Sequence, residues 1–234
     1  MNWLALVVLT VFAYVISSFP SGVVLGRLFK GVDVRQFGSG KTGATNSLRA
    51  LGWQISLLVF LTDMSKGAIS VGLPLLLSSL LFKQNGQDIT PWAVFTCGMA
   101  SVIGHNHSFF IGFRGGRGVA TGIGQVLVIS PLTMLMVAIL DIWILGLSRY
   151  VSLASVVGCF LVEIFLITNI WLTHLDPRYL LWGFAITLYI IYSHLDNIKR
   201  LLNGTERRLG EKVKPAEPDP PVIGNLHSQE KLRK

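Results

Sequence analysis

The sequence predicts an all-α fold, a polytopic bundle of membrane-spanning helices. Three observations predict it. Of 234 residues, 51% are hydrophobic and only 14% are charged, whereas soluble domains carry about a quarter charged residues. Mean hydropathy is +0.59. Apolar runs near twenty residues recur along the chain, long enough to cross the ~30 Å hydrocarbon layer as helices.

Run one covers about Asn2–Leu28 and breaks near Pro20. No Lys or Arg precedes it, so it reads as a first span and not as a cleaved leader. Run two is Trp53–Phe82, run three Pro91–Gly112, run four Val119–Leu147, run five Val151–Leu172 and run six Tyr179–Leu195. Beyond it the chain turns polar, and Asn197–Arg208 is expected to continue as a basic helix. From Glu211 onward four prolines, many charges and the absence of periodicity predict a disordered cytoplasmic tail. The expected division is therefore a transmembrane domain over 1–210 and a tail over 211–234.

Charge sets the topology. The net charge is +8, which in a membrane protein reads first as orientation and as attraction for anionic substrates or lipid, not as nucleic-acid binding. Arg27, Lys30, Arg35, Lys41 and Arg49 follow run one, so that loop is expected inside and the N-terminus outside. If run four were one span, Arg149, Lys199, Arg200 and the tail would all lie outside, against the positive-inside rule. The conflict disappears if run four goes out and returns as two short helices, about Val119–Ile129 and Leu132–Leu147, broken at Pro131. The expectation is seven helical segments, N-terminus out and C-terminus cytoplasmic.

Several polar groups lie within the apolar runs. Asp63 and Lys66, three residues apart, share a helix face and read as a mutual ion pair. Asp141 and Glu163 are ionisable groups at depth, which usually face the bundle interior. Cys97 and Cys159 read as small buried residues with no ligand or disulfide spacing.

Four dense polar stretches carry the chemistry. Gly38–Arg49, GSGKTGATNSLR, combines glycines with Ser39, Lys41, Thr45, Asn46 and Arg49, a composition suited to cradling a phosphate. The plainer alternative is a connecting loop. It is not a nucleotide P-loop, because the position five before Gly40 is Arg35 and no buried strand precedes it. Gly104–Thr121 sets Gly112, Gly115, Gly116 and Gly118 around Arg114 and Arg117, just before a helix, which makes an anion nest. His105 and His107, two apart with no carboxylate or Cys nearby, do not make a metal site. The third stretch is Ser148–Ser152, a hinge with a hydroxyl and a cation. In the fourth, His194 and Asn197 share a helix face and can hydrogen-bond a polyol. The plainer reading of the last two is interfacial anchoring and capping. All four lie on the cytoplasmic side of the expected topology and can converge on one phosphorylated ligand.

Together these stretches resemble the bacterial acyl-phosphate:glycerol-3-phosphate acyltransferase family across about residues 1–210. The marks are Ser18–Pro20 with Gly22, Gly38–Arg49, Asp63 with Lys66-Gly67, and Gly104-His105. They continue with Gly115–Thr121, Ser148-Arg149 with Ser152, and His194, Asn197, Arg200 and Gly204–Glu206. The family usually has Asn at Lys41 and Lys at Arg117. The resemblance implies a seven-helix enzyme of the bacterial cytoplasmic membrane, its active site facing the cytoplasm. It would move a fatty acyl group from acyl-phosphate to the 1-hydroxyl of glycerol-3-phosphate, with no cofactor, no metal and no nucleic-acid partner. Its substrates would be those two molecules, with membrane lipid around it.

The resemblance also implies residue roles. Ser39, Arg49, His194 and Asn197 are the expected catalytic residues. Gly40, Thr45, Asn46, Gly115, Gly116, Arg117, Gly118 and Ser148 are the expected substrate-binding ones. The nest with Arg117 would hold the donor phosphate, Ser39, Arg49 and Ser148 the acceptor phosphate, and His194 and Asn197 the glycerol hydroxyls. No general base stands out beyond His194, so a donor phosphate oxygen is the expected proton acceptor. Ser39 as an acyl-accepting nucleophile lacks an activating neighbour. The rival class is a transporter of an organic phosphate, which would call for midplane charges and an inverted repeat.

Overall fold

In lipid every backbone polar group needs an internal partner, so apolar runs fold as helices. The computed structural model describes residues 3–84 and 86–211; most of the predicted tail, from residue 212, lies outside the described residues. The helices are α1 (Trp3–Ser17), α2 (Ser21–Lys30), α3 (Ala44–Leu51), α4 (Trp53–Leu76), α5 (Thr90–Asn106), α6 (Val119–Ile129), α7 (Pro131–Ser148), α8 (Val151–Thr173), α9 (Tyr179–Ser193) and α10 (Leu195–Leu202). Helices α1 and α2 follow run one on either side of Pro20, α4 to α9 follow the other predicted apolar segments, and α3 and α10 are short and flank them. A two-residue ladder pairs Lys83 with Asp88 and Gln84 with Gln87.

Helix α4 is the hub, touching α1, α2, α3, α5 and α6. It meets α6 backbone to backbone: a Cβ on Gly67 would lie 1.9 Å from the Thr121 carbonyl oxygen, and one on Gly124 would lie 1.9 Å from that of Met64. Such close approach lets dispersion hold helices together where lipid removes the hydrophobic drive. The apolar core gathers Val94, Val102, Val126, Leu166, Trp182 and Ile186. Within it, Trp182 Nε1 donates to Gln125 Oε1 at 3.0 Å, and Gln125 Nε2 donates to the Gly98 carbonyl at 3.1 Å.

Both predicted breaks are present, and side-chain hydrogen bonds gather at each. At Pro20 the helix stops and frees carbonyls; Lys66 Nζ donates to the Phe19 oxygen at 2.8 Å, and the Ser108 hydroxyl donates to that of Ser18. At Ser130–Pro131 the Ser130 hydroxyl donates to Thr133 Oγ1 at 2.6 Å and accepts from Asn169 Nδ2. The two arms are unequal, 11 residues in α6 and 18 in α7. Helix α7 buries only Thr133 and Val137 and keeps the rest of its surface partly or fully outside the bundle.

Two local elements depart from expectation. The stretch 38–49 is not all loop, since Ala44 begins α3. The basic helix expected to run to Arg208 ends at Leu202, because Gly204 takes a left-handed conformation, φ +68°, and the chain doubles back.

Candidate active site

The four polar stretches meet at one end of the bundle, and all of them, the third through Val151 and Ser152 at the start of α8, line a cavity of about 520 Å³. Ser39, Lys41, Thr45, Asn46 and Arg49 reach it from the α2–α3 loop and α3, Gly116 to Gly118 from the α5–α6 loop, and Ser152 from α8. His194, Asn197 and Glu206 complete the polar end.

The first loop is folded around Asn46. Its Nδ2 reaches the carbonyls of Val34, Phe37 and Lys41 at 2.9 to 3.0 Å, and its Oδ1 accepts from the Ser39 amide at 3.1 Å. Asn46 thus shapes the cradle that presents Ser39 and Lys41.

The glycine nest is built on the end of α5. The Gly116 amide donates to the His105 carbonyl at 3.1 Å. Gly118, φ +84°, turns the chain into α6, whose N-terminal amides face the site. Beneath the nest the predicted ion pair is present and buried: Lys66 Nζ lies 2.7 Å from Asp63 Oδ1, and the Ser21 hydroxyl donates to the same oxygen at 2.5 Å. His105 Nδ1 lies 3.6 Å from it.

Arg49 and Arg117 each carry a buried Nε with no hydrogen-bond partner among the described residues. Burial first, then neighbouring cations, hold these guanidiniums and the Lys41 ammonium below their ordinary values: Arg207 acts on Arg49, Arg200 on Arg117, and Arg117 on Lys41. A bound anion relieves such crowding.

His194 is 3% exposed. Its Nδ1 lies 2.8 Å from the Ile190 carbonyl, which can only accept, so Nδ1 carries the proton and Nε2 a lone pair. Burial, reinforced by the Arg117 charge against the Ile190 hydrogen bond, pushes its pKa down to about 4. Burial alone would raise Glu206, but hydrogen bonds from Asn197, Arg200 and Ser152 overcome it and hold the carboxyl below its ordinary value.

The other end of the cavity is apolar but for Asp141 and Ser155. Met134, Ala138, Ile142 and Leu145 of α7 face Val119 and Ile123 of α6 and Ala154 of α8. Ile142 is also 71% exposed on the outer surface, so the trench opens sideways out of the bundle. A smaller cavity of about 60 Å³ continues it toward α9.

Of the predicted site residues, Gly40, Gly115 and Ser148 are not in the cavity wall among the described residues. Gly40 closes a turn on Phe37, and Gly115 packs on the His105 carbonyl. The Ser148 hydroxyl donates to the Ile144 carbonyl at 2.7 Å and accepts from the Tyr150 amide at 3.1 Å, capping α7. Residues without a predicted role also line the cavity, notably Glu206, Ser152 and Asp141. Glu206 stands in the sequence among the marks of the resemblance, Gly204–Glu206, and the turn at Gly204 is the local signal that brings it back to the site.

Comparison with known proteins follows the same lines. The glycerol-3-phosphate acyltransferase family model matches residues 7–204. The glycerol-3-phosphate acyltransferase of Rippkaea orientalis is 35% identical over 214 residues, 91% of this chain and 97% of the relative. That of Chlorobaculum parvum is 38% identical over 227 residues, 87% of this chain and 96% of the relative. Among solved structures, PlsY (YgiH), an integral membrane glycerol 3-phosphate acyltransferase, aligns in its glycerol 3-phosphate form with a TM-score of 0.76 at 37% identity, covering 88% of this chain and 96% of that one. Its lysophosphatidic acid form gives 0.74. Matched along nearly its whole apolar body, the chain is a multi-pass membrane protein and belongs to the glycerol-3-phosphate acyltransferase family.

Proposed function

We propose that the protein transfers a fatty acyl group from an acyl-phosphate to the 1-hydroxyl of glycerol-3-phosphate, giving lysophosphatidic acid and inorganic phosphate. One observation carries this reading. A single cavity joins a cationic end, with buried guanidinium nitrogens that lack partners among the described residues, to an apolar trench that opens sideways. The first suits phosphates and the second an acyl chain. Glycerol 3-phosphate and lysophosphatidic acid forms of the related PlsY structure support the same acceptor and product.

An acyl-phosphate is a mixed anhydride with a good leaving group, so the work left to the protein is to bring two anions together and orient them. The nest and Arg117 hold the donor phosphate. Ser39 and Arg49 hold the acceptor phosphate, with Arg117 shared, and His194 and Asn197 take the glycerol hydroxyls. Gly40, Gly115, Asn46 and Ser148 give the loops their shape, and Thr45 contacts substrate from the cavity wall. The 1-hydroxyl oxygen attacks the acyl carbon and the bond from that carbon to the phosphate oxygen breaks. The hydroxyl proton passes to a phosphoryl oxygen, and hydrogen phosphate leaves. Burial pushes the His194 pKa down to about 4, which weakens it as a base and favours a phosphoryl oxygen as the proton's acceptor.

Residues 1–210 form the catalytic unit in the bacterial cytoplasmic membrane, with the site on the cytoplasmic face, as the charge distribution favours. The test supplies purified protein with glycerol-3-phosphate and either palmitoyl-phosphate or palmitoyl-CoA. Phosphate and lysophosphatidic acid in equal amounts, from the acyl-phosphate alone, are expected. Product from the CoA thioester alone would overturn the donor assignment.

A further inference from the structure

A carboxylate inside an anion-binding cavity works against its ligand. Glu206 lines the same cavity as Lys41, Arg49 and Arg117, and its charge repels a phosphate there. Its place is explained by what it holds. Glu206 Oε1 accepts from Asn197 Nδ2 at 2.7 Å and from the Ser152 hydroxyl at 2.8 Å, and Oε2 accepts from Arg200 Nε at 2.7 Å. The side chain is only 6% exposed.

A carboxylate only accepts hydrogen bonds. The Asn197 amide must therefore turn its NH2 toward Glu206, which leaves its Oδ1 as the free edge. That oxygen is buried and has no partner among the described residues. Three residues earlier His194 is fixed in the same sense, with Nδ1 donating to Ile190 and Nε2 left as a lone pair. Asn197 and His194 thus offer the cavity two acceptors.

We propose that Glu206 is a positioning residue that fixes Asn197 as an acceptor, and that the site thereby selects a phosphorylated polyol over its 2-oxo analogue. This rests on the proposed acylation of glycerol-3-phosphate. That substrate brings two hydroxyl donors to two acceptors. Dihydroxyacetone phosphate brings one; its ketone oxygen meets a lone pair and leaves a buried acceptor unpaired. Sites built to bond a hydroxyl reject analogues that lack it strongly.

The test measures kcat/KM for both acceptors with a saturating acyl-phosphate. Because both values come from one preparation, the folded fraction cancels in their ratio. The wild type is expected to prefer glycerol-3-phosphate by about a hundredfold or more. Glu206→Gln offers Asn197 either edge of an amide, so the Asn197 amide can rotate and the preference falls by about tenfold. Glu206→Asp keeps acceptor-only chemistry and retains the preference at a lower rate. Asn197→Leu removes the acceptor and loses the preference by a route independent of Glu206. A wild type indifferent to the two acceptors, or an undiminished ratio in Glu206→Gln or Asn197→Leu, would overturn the proposal while leaving the acyltransferase reading intact. A wild type that acylates neither acceptor from acyl-phosphate would sink that reading as well.

Discussion

Gly116 sits against the imidazole of His105, so close that a Cβ on the glycine would come 1.9 Å from Nε2. The opposite nitrogen of the ring faces Asp63, itself paired with Lys66. The anion nest is therefore seated on a ring that α4 holds from behind. Gly116→Ala must push that ring away or lift the loop. It is expected to lower kcat/KM by about a hundredfold or more, in line with other losses of donor placement. Steady-state rates, with circular dichroism to verify the fold, check this.

Arg117 carries charge into the cavity with a nitrogen that has no partner among the described residues. On the proposed reaction, Arg117→Ala removes charge-assisted bonds to the donor phosphate worth about 1.5–3 kcal/mol each and is expected to raise the KM for the proposed acyl-phosphate donor by about tenfold to a hundredfold. Arg117→Lys keeps the charge while losing the planar fork, and is expected to stay within about tenfold of the wild type. Initial rates over a donor titration separate the two.

Asp63 and Lys66 are almost fully buried. Removing one partner strands the other charge, so Lys66→Met or Asp63→Leu alone is expected to destabilise by about 3–5 kcal/mol. The double variant removes both charges and is expected to recover much of that loss. Thermal midpoints in one detergent give the comparison.

Acid should weaken the fold through His194. Its pKa is about 4 in the folded chain and about 6.5 when free. Between these values the unfolded chain binds more protons, so stability is complete above about pH 6.5 and falls as pH drops toward 4. The loss is about 3 kcal/mol across that window. The wild-type thermal midpoint is expected to fall more between pH 7 and pH 4.5 than that of His194→Gln.

Much of the architecture was legible in the sequence because lipid imposes a simple rule on apolar runs. The runs, the breaks at Pro20 and Pro131 and the Asp63–Lys66 pair all follow from spacing. Helix α3 was not legible as a helix: Ala44–Leu51 is short and polar, inside a stretch whose glycines signal a loop. At the site, the glycines and cations announced themselves by composition. Glu206 did not, because its partners Ser152 and Asn197 lie on different helices and meet only after the chain reverses at Gly204. The predicted contact role of Ser148 has a similar limit: sequence shows a hydroxyl at a hinge, and only geometry shows that this hydroxyl caps α7.

The sideways opening at Ile142 changes what concentration means for this protein. A tail lodged between α6, α7 and α8 can enter and leave without crossing water, so on the proposed reaction the acyl donor is expected to arrive by lateral diffusion within one leaflet. Saturation then follows the mole fraction of donor among the surrounding lipids. Diluting the membrane with inert lipid at constant bulk donor is expected to slow the reaction, whereas diluting the whole suspension at a fixed glycerol-3-phosphate concentration is expected to leave the rate per protein unchanged.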